Sequence, residues 1–336
     1  MSLALGRFFV IVVLLAALAV SPLPANGQSC QTASELDDAA RSQISNTGQR
    51  YFGMAAKGDV ASLRQNAIPA LAAAFDKAEA VIKNHQQDFS VAQASVKSVF
   101  LLEAEGSAPL PRAEFYCGVF GKNGQTSGSA VFDFDNLPPG KYAVAILDVA
   151  SPKARASFSV ILQQAGPDWK LADLYVEPAA VAGHDSDWFA ARAREYKAKG
   201  QLHNAWLFLL QARSLISPMP SMSTLATDKL YDESQSLQPA GFPFSGKTAD
   251  LSAGTSTYKV TAIFAQAVGD DLDLIVKYQA ADISNTNQAY QTNVAVMKAV
   301  VAKYPELRDG FAGVVARAVD PRGRDYGTLL AMKDIK

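Results

Sequence analysis

Apolar positions recur at helical spacing through the first part of the chain. Leu36, Ala40, Ile44, Tyr51 and Ala55 fall on one face of a 3.6-residue repeat. Ser34 with Asp37 three residues on reads as a capping box at the start of that helix. Gly58 stops it and Asp59 caps a second helix. Ile68-Pro69 opens another, with Leu71, Phe75, Ala78 and Ile82 on its inner face and His85 just past its end.

Near Val91 the period changes. Six strands are predicted, over residues 92–104, 113–121, 129–135, 141–150, 155–165 and 169–177. Alternation is clearest in Tyr142, Val144 and Ile146 and in Phe158, Val160 and Leu162. The turns between them, such as Pro138-Pro139-Gly140 and Gly166-Pro167-Asp168, are short, which implies antiparallel pairing. Helices followed by a run of strands define an α+β pattern.

Residues 184–217 predict a helical hairpin turned at Gly200 and started by Asp185 or Ser186, with a further helix over 222–237. Residues 238–256, rich in Gly, Pro, Ser and Thr, read as a linker. Two hairpins follow, Tyr258–Gln266 with Leu272–Ala280 and Phe311–Val319 with Tyr326–Met332. Between them lies a helix over 285–303, with Tyr290, Val294, Met297 and Val301 on one face. The expected C-terminal unit, 257–336, is a small ββαββ domain.

Tyr51-Phe52 at the end of a first helix, Lys57-Gly58-Asp59, further helices, and an antiparallel sheet reaching Trp169-Lys170-Leu171 form a combination. Over residues 33–178 it resembles the nuclear transport factor 2-like (NTF2-like) superfamily, in which helices pack on a curved antiparallel sheet. The domain so implied spans 28–180. One segment, Phe132 to Tyr142, is more similar to prealbumin-type β-sandwich modules, which gives an alternative fold. Ala193, Tyr196, Gly200, Ala205, Leu209 and Ala212 resemble one tetratricopeptide (TPR) repeat, which makes 181–237 a TPR-like connector rather than a peptide-binding array. The NTF2-like resemblance implies a pocket between helices and sheet, and places Tyr51, Tyr116 and Glu103 at its wall. Some members are isomerases or dehydratases, but no acid–base pair here matches, so no catalytic residue is carried over.

Composition changes this picture little: of 336 residues, 49% are hydrophobic and 19% charged, as in an ordinary globular chain. A net charge of −1 and no dense Lys/Arg cluster argue against a nucleic-acid partner. The N-terminus changes it more. Arg7, the apolar run Phe8 to Val20, Pro22 and Pro24, and Ala25-Asn26-Gly27 make the three parts of a secretory signal over residues 1–27. The run is 13 residues long, whereas a bilayer-crossing helix needs about 20. The alternative is an uncleaved anchor; with cleavage, no membrane span remains. Cys30 lacks a lipobox before it. In an oxidising compartment Cys30 and Cys117 read first as a disulfide worth about 3–4 kcal/mol, the alternative being two free thiols.

Candidate chemistry is sparse. His184-Asp185-Ser186-Asp187 sets one imidazole beside carboxylates, but a helix start explains the acids and no further metal ligands are near in sequence. His203, one turn from Trp206, reads as a packing residue. Asp270, Asp271 and Asp273 lack calcium-loop spacing and suit a turn, and Asp133 and Asp135 flank a strand end. Arg192, Glu195 and Lys199 form a solvated helix face. No nucleophile elbow, phosphate loop, dinucleotide fingerprint or zinc motif is present, so no metal or cofactor is expected. The expectation is an exported protein, periplasmic or extracellular, that binds a protein or small-molecule ligand through the NTF2-like module without catalysis, with the TPR-like hairpin as a rigid connector. The alternatives are a hydrolase or isomerase with a site in the cone, and a structural module of a secreted assembly. Mass analysis of the exported protein is expected to show a chain beginning near Gln28; a mature chain beginning at Met1 would contradict the signal reading.

Overall fold

The computed structural model describes residues 28–336 except Ser245 and Gly254, so the signal segment expected over 1–27 lies outside the described residues. The fold is mixed α+β. The chain opens with strand β1 (Gln28–Thr32), then α1 (Asp38–Ala56), α2 (Val60–Gln65), α3 (Pro69–Ala73) and α4 (Asp76–Phe89). Strands β2 (Gln93–Ala104), β3 (Leu110–Cys117), β4 (Ala130–Leu137), β5 (Gly140–Ala150), β6 (Arg155–Ala165) and β7 (Asp168–Pro178) follow. Next come α5 (Ser186–Ala198), α6 (Leu202–Ile216), β8 (Met222–Thr224) and α7 (Leu225–Leu237). The last part contains β9 (Ala249–Ala253), β10 (Ser256–Val268), β11 (Asp271–Gln279), α8 (Thr286–Lys303), β12 (Gly313–Val319) and β13 (Asp325–Ala331).

The first sheet has strand order β1-β2-β5-β6-β7, all antiparallel. Its central strand β5 is buried on both faces. Ala143, Ala145 and Leu147 pack under the helices, while Tyr142, Val144 and Ile146 face a second sheet ordered β8-β4-β3. Strand alternation thus assigns one β5 set to each of two cores. Cys30 of β1 and Cys117 of β3 form a disulfide with Cα atoms 4.9 Å apart, tying the first sheet to the second.

On the helical side, α1 lies so close that a Cβ added at Gly48 would stand 2.8 Å from the Ala145 Cβ. Glycine inside a helix costs about 1 kcal/mol relative to alanine. Here the close approach outweighs that cost, because it lets the helix seal the sheet. Phe52, Phe89 and Phe158 fill the space beside it with ring centroids 5.4–5.9 Å apart.

The second body has one core. Phe189, Tyr196, Trp206 and Phe208 from α5 and α6 join Val276, Tyr278, Val296, Met297 and Val314 from the C-terminal sheet and α8. The Tyr196 hydroxyl donates to the Asp309 carbonyl at 2.7 Å across this junction. The C-terminal sheet is ordered β9-β10-β11-β12-β13, with β11 and β12 parallel and the other neighbours antiparallel. Helix α8 carries the chain back between the parallel pair.

Several sequence expectations shift. The cap of α1 is Asp37, which accepts from the Ala40 N–H at 2.7 Å, and Ser34 takes no part in it. Thr32 to Leu36 instead form a turn from β1 into the helix. His85 sits inside α4 and stacks on Phe89, because the apolar face runs on to that residue. Segment 238–256 is more than a linker: Phe242 is buried and β9 pairs with β10 in place of an open sheet edge. Met297 and Val301 of the face expected on α8 are buried, Val294 is half-buried and Tyr290 is not buried. Ala289, Asn293, Val296 and Val300 are buried as well, and Asn293 bonds Tyr278 and Thr328 inside the core. Replacing Cys30 and Cys117 together by Ala is expected to lower unfolding free energy by about 2–5 kcal/mol in urea titrations. Unchanged stability would contradict a staple between the sheets.

Candidate functional site

The structure separates the residues nominated for a pocket between helices and sheet. Tyr51 is fully buried in that interface, its hydroxyl 3.0 Å from the Asn66 carbonyl and 3.1 Å from that of Trp169, and it donates to one of them at a time. Burial pushes that phenol above its ordinary range. Tyr116 is 59% exposed on β3 and donates to Glu114 at 3.0 Å. Glu103 lies on β2, its carboxylate 3.8 Å from the Lys141 ammonium. The wall expected from family resemblance is therefore not assembled. The sheet face beneath α1 and α4 is occupied by side chains such as Leu147, Phe158 and Leu162.

The other polar clusters have local roles. His184 stacks on Trp188 with centroids 3.6 Å apart, Asp185 caps α5 through the Trp188 N–H at 3.1 Å, and Ser186 donates to the Ala212 carbonyl at 2.9 Å. His203 contacts Glu306 through Nδ1 and packs on Phe242 and Tyr304. Asp133 makes a forked ion pair with Arg112, at 3.0 and 2.6 Å, which holds its carboxyl below the usual range. Arg192 pairs with Glu195 on an exposed helix face. Among the described residues, no group of three or more His, Cys, Asp or Glu is placed to hold a metal ion.

A wide concavity lies elsewhere. A groove of about 770 Å³ runs between α6, α7, the β8 segment and β10. That size falls within the range of small-ligand sites, about 300–1,000 Å³. Leu207, Leu210, Phe244, Phe264 and Met222 give it apolar walls. Gln211 and Ser214 on α6, with Asp228, Tyr231 and Gln235 on α7, give it a polar side. The α7 set falls at i, i+3 and i+7, so one helix face presents all three. Helix α7 is held there by its capping box: Thr224 accepts from the Thr227 N–H, and Thr227 Oγ1 accepts from the Thr224 N–H at 2.7 Å. From the first body, Gln125 reaches over to donate to Asp228 at 2.7 Å and Ser223 at 3.1 Å. These amides, hydroxyls and single charges suit recognition by hydrogen bonding, with no activated nucleophile among them.

A smaller cleft of about 360 Å³ opens between β4, β5 and β7 at one end of the two sheets. There Tyr175 donates to Asp173 at 2.6 Å, and burial together with that carboxylate pushes the phenol well above its ordinary range. Ile161, Leu137 and Phe134 supply apolar surface beside them.

Comparison with models of known protein families, with curated proteins and with solved structures finds no match. The fold is mixed α+β, with a groove between α6, α7, β8 and β10. No helix among the described residues is long and apolar enough to cross a membrane.

Asp273, which the sequence assigned to a turn, is a buried strand residue, 3% exposed, beside Gly313. Burial is the main cause that raises its carboxyl above the ordinary range; nearby Asp271 adds to the rise and the Gly313 N–H opposes it. The fold therefore prefers the protonated form. Its contribution is fully present below the unfolded value of about 3.9 and is lost as pH rises through the folded value. Asp273→Asn is expected to raise the melting temperature at pH 7 and to leave it little changed below pH 4, by calorimetry. A lower melting temperature at pH 7 would overturn this reading.

Proposed function

We propose that the chain is an exported, non-catalytic binding protein of the periplasm or extracellular space, and that its ligand occupies the groove between α6, α7 and β10. The observation that carries this reading is that groove: about 770 Å³ of open, mixed apolar and hydrogen-bonding surface. Export is supported by the signal-like N-terminus and by the Cys30–Cys117 disulfide, a bond that persists in oxidising compartments.

The same proposal keeps the NTF2-like reading for residues 33–178, supported by helices packed on one face of a five-stranded antiparallel sheet. The second sheet on the opposite face supports the sandwich alternative instead. The TPR-like reading of 181–237 is supported by the close packing of Ala193, Tyr196, Ala205 and Ala212 in the α5–α6 hairpin. The role of that hairpin is to hold one wall of the groove.

A second reading, a hydrolase or isomerase, is supported by the Asp173–Tyr175 pair in the smaller cleft, where a phenol that stays protonated can donate a hydrogen bond to a developing oxyanion. It has no partnered nucleophile to go with it, so binding is preferred. Native mass spectrometry of protein recovered from its own host's envelope and medium is the test. A bound species that is lost in Ala265→Trp, which fills the groove wall, is the expected result. Absence of any bound species, or the same species retained in Ala265→Trp, would contradict the groove as ligand site.

A further inference from the structure

The groove holds two opposite charges that are not paired. Arg213 on α6 and Asp228 on α7 both line it. Among the described residues neither takes part in an ion pair. Arg213 donates one hydrogen bond, from Nη1 to Ser234 Oγ at 2.9 Å, and its guanidinium lies 4.6 Å from the Tyr231 ring centroid. A guanidinium has five N–H donors in a planar fork that matches a carboxylate. The ring contact uses none of the N–H donors. Asp228 accepts from Gln125 at 2.7 Å, and a carboxylate has roughly four acceptor sites, so capacity remains there too.

Their spacing selects a ligand length. Arg213 sits against Tyr231 and Ser234, three and six residues beyond Asp228 on the same helix. At a rise of 1.5 Å per residue the two charges are about 4.5–9 Å apart along the α7 axis. An extended peptide advances about 3.3–3.6 Å per residue, so two or three residues span roughly 7–10 Å. The same lining offers Leu207, Leu210, Phe244 and Phe264 for apolar side chains, with Gln211 and Gln235 as amides for backbone groups.

We propose that the groove binds apolar di- and tripeptides with free termini, the C-terminal carboxylate on Arg213 and the N-terminal ammonium on Asp228. This rests on the groove being the ligand site. Lining charges of both signs favour a zwitterion, which matches both, over an acyl chain, which matches neither.

The test is calorimetric titration of the mature, disulfide-bonded protein with tri-leucine, its N-acetyl form and its C-terminal amide. Free tri-leucine is expected to bind, and each cap to weaken it about fivefold or more. In Arg213→Gln the free and amidated peptides are expected to bind alike; in Asp228→Asn the free and acetylated peptides are expected to do so. The capping series needs no variant, so it stands even where loss of Arg213 loosens α6 from α7. Equal binding of the free, acetylated and amidated peptides that Ala265→Trp abolishes would overturn the inference and leave the groove intact as a site. Binding that survives Ala265→Trp would overturn the groove itself. No binding of any of the three peptides would overturn the inference.

Discussion

The structure depends on a strand buried from both sides. From Tyr142 to Leu147, β5 exposes almost nothing, and its alternate residues belong to two cores. Such a strand fixes its own register, because a one-residue slip would trade every side chain between layers. The helical layer meets it through Gly48 over Ala145, a contact that leaves no room for a side chain. The opposite layer meets it through Tyr142, Val144 and Ile146, and the disulfide joins the edge strand of one sheet to the other. Both faces of the first sheet are thereby committed to packing. Recognition falls to other surfaces: the seam of the second body and the end of the sandwich.

The second body makes that seam from pieces distant in sequence. Helix α6 contributes the central side chains of a core that also takes in β11, α8 and β12, so the connector and the C-terminal sheet are one packed unit. Asn204 and His203 at the start of α6 both reach Glu306, in the turn after α8. With α6 anchored there, α7 and β10 diverge from it and leave a groove between them. Gln125, from the turn between β3 and β4, meets Asp228 at its edge, and β8, which lines the groove, pairs with β4.

Much of this was legible from the sequence, for physical reasons. Strong alternation places β5 and β6 to within a residue, and Gly140 and Gly200 punctuate the turns where they should. The disulfide was readable from cysteine number and compartment. Other features were not. Strand β9 has no apolar run of its own and exists because β10 offers an edge. Buried Asn293, a polar residue with partners in the core, extends the inner face of α8 that Met297 and Val301 mark, and Tyr290 falls outside it. The groove left only a trace, the polar spacing of Asp228, Tyr231 and Gln235. Its other wall comes from Phe264 and Ala265, some thirty residues on, and no local pattern links the two. Tyr51, Tyr116 and Glu103 were grouped by family resemblance alone, and their burial and partners differ because one faces the core and one the solvent.

The central claim is that the helix–sheet interface of the first body is closed and that the groove of the second body is open to a ligand. Crystals of the mature protein equilibrated with small aromatic molecules test it most directly. The account predicts electron density for such a molecule beside Phe244 and Phe264 in the groove, with the contact between α1 and β5 unchanged. Density between α1 and β5, around Gly48 and Ala145, with an empty groove, would contradict it.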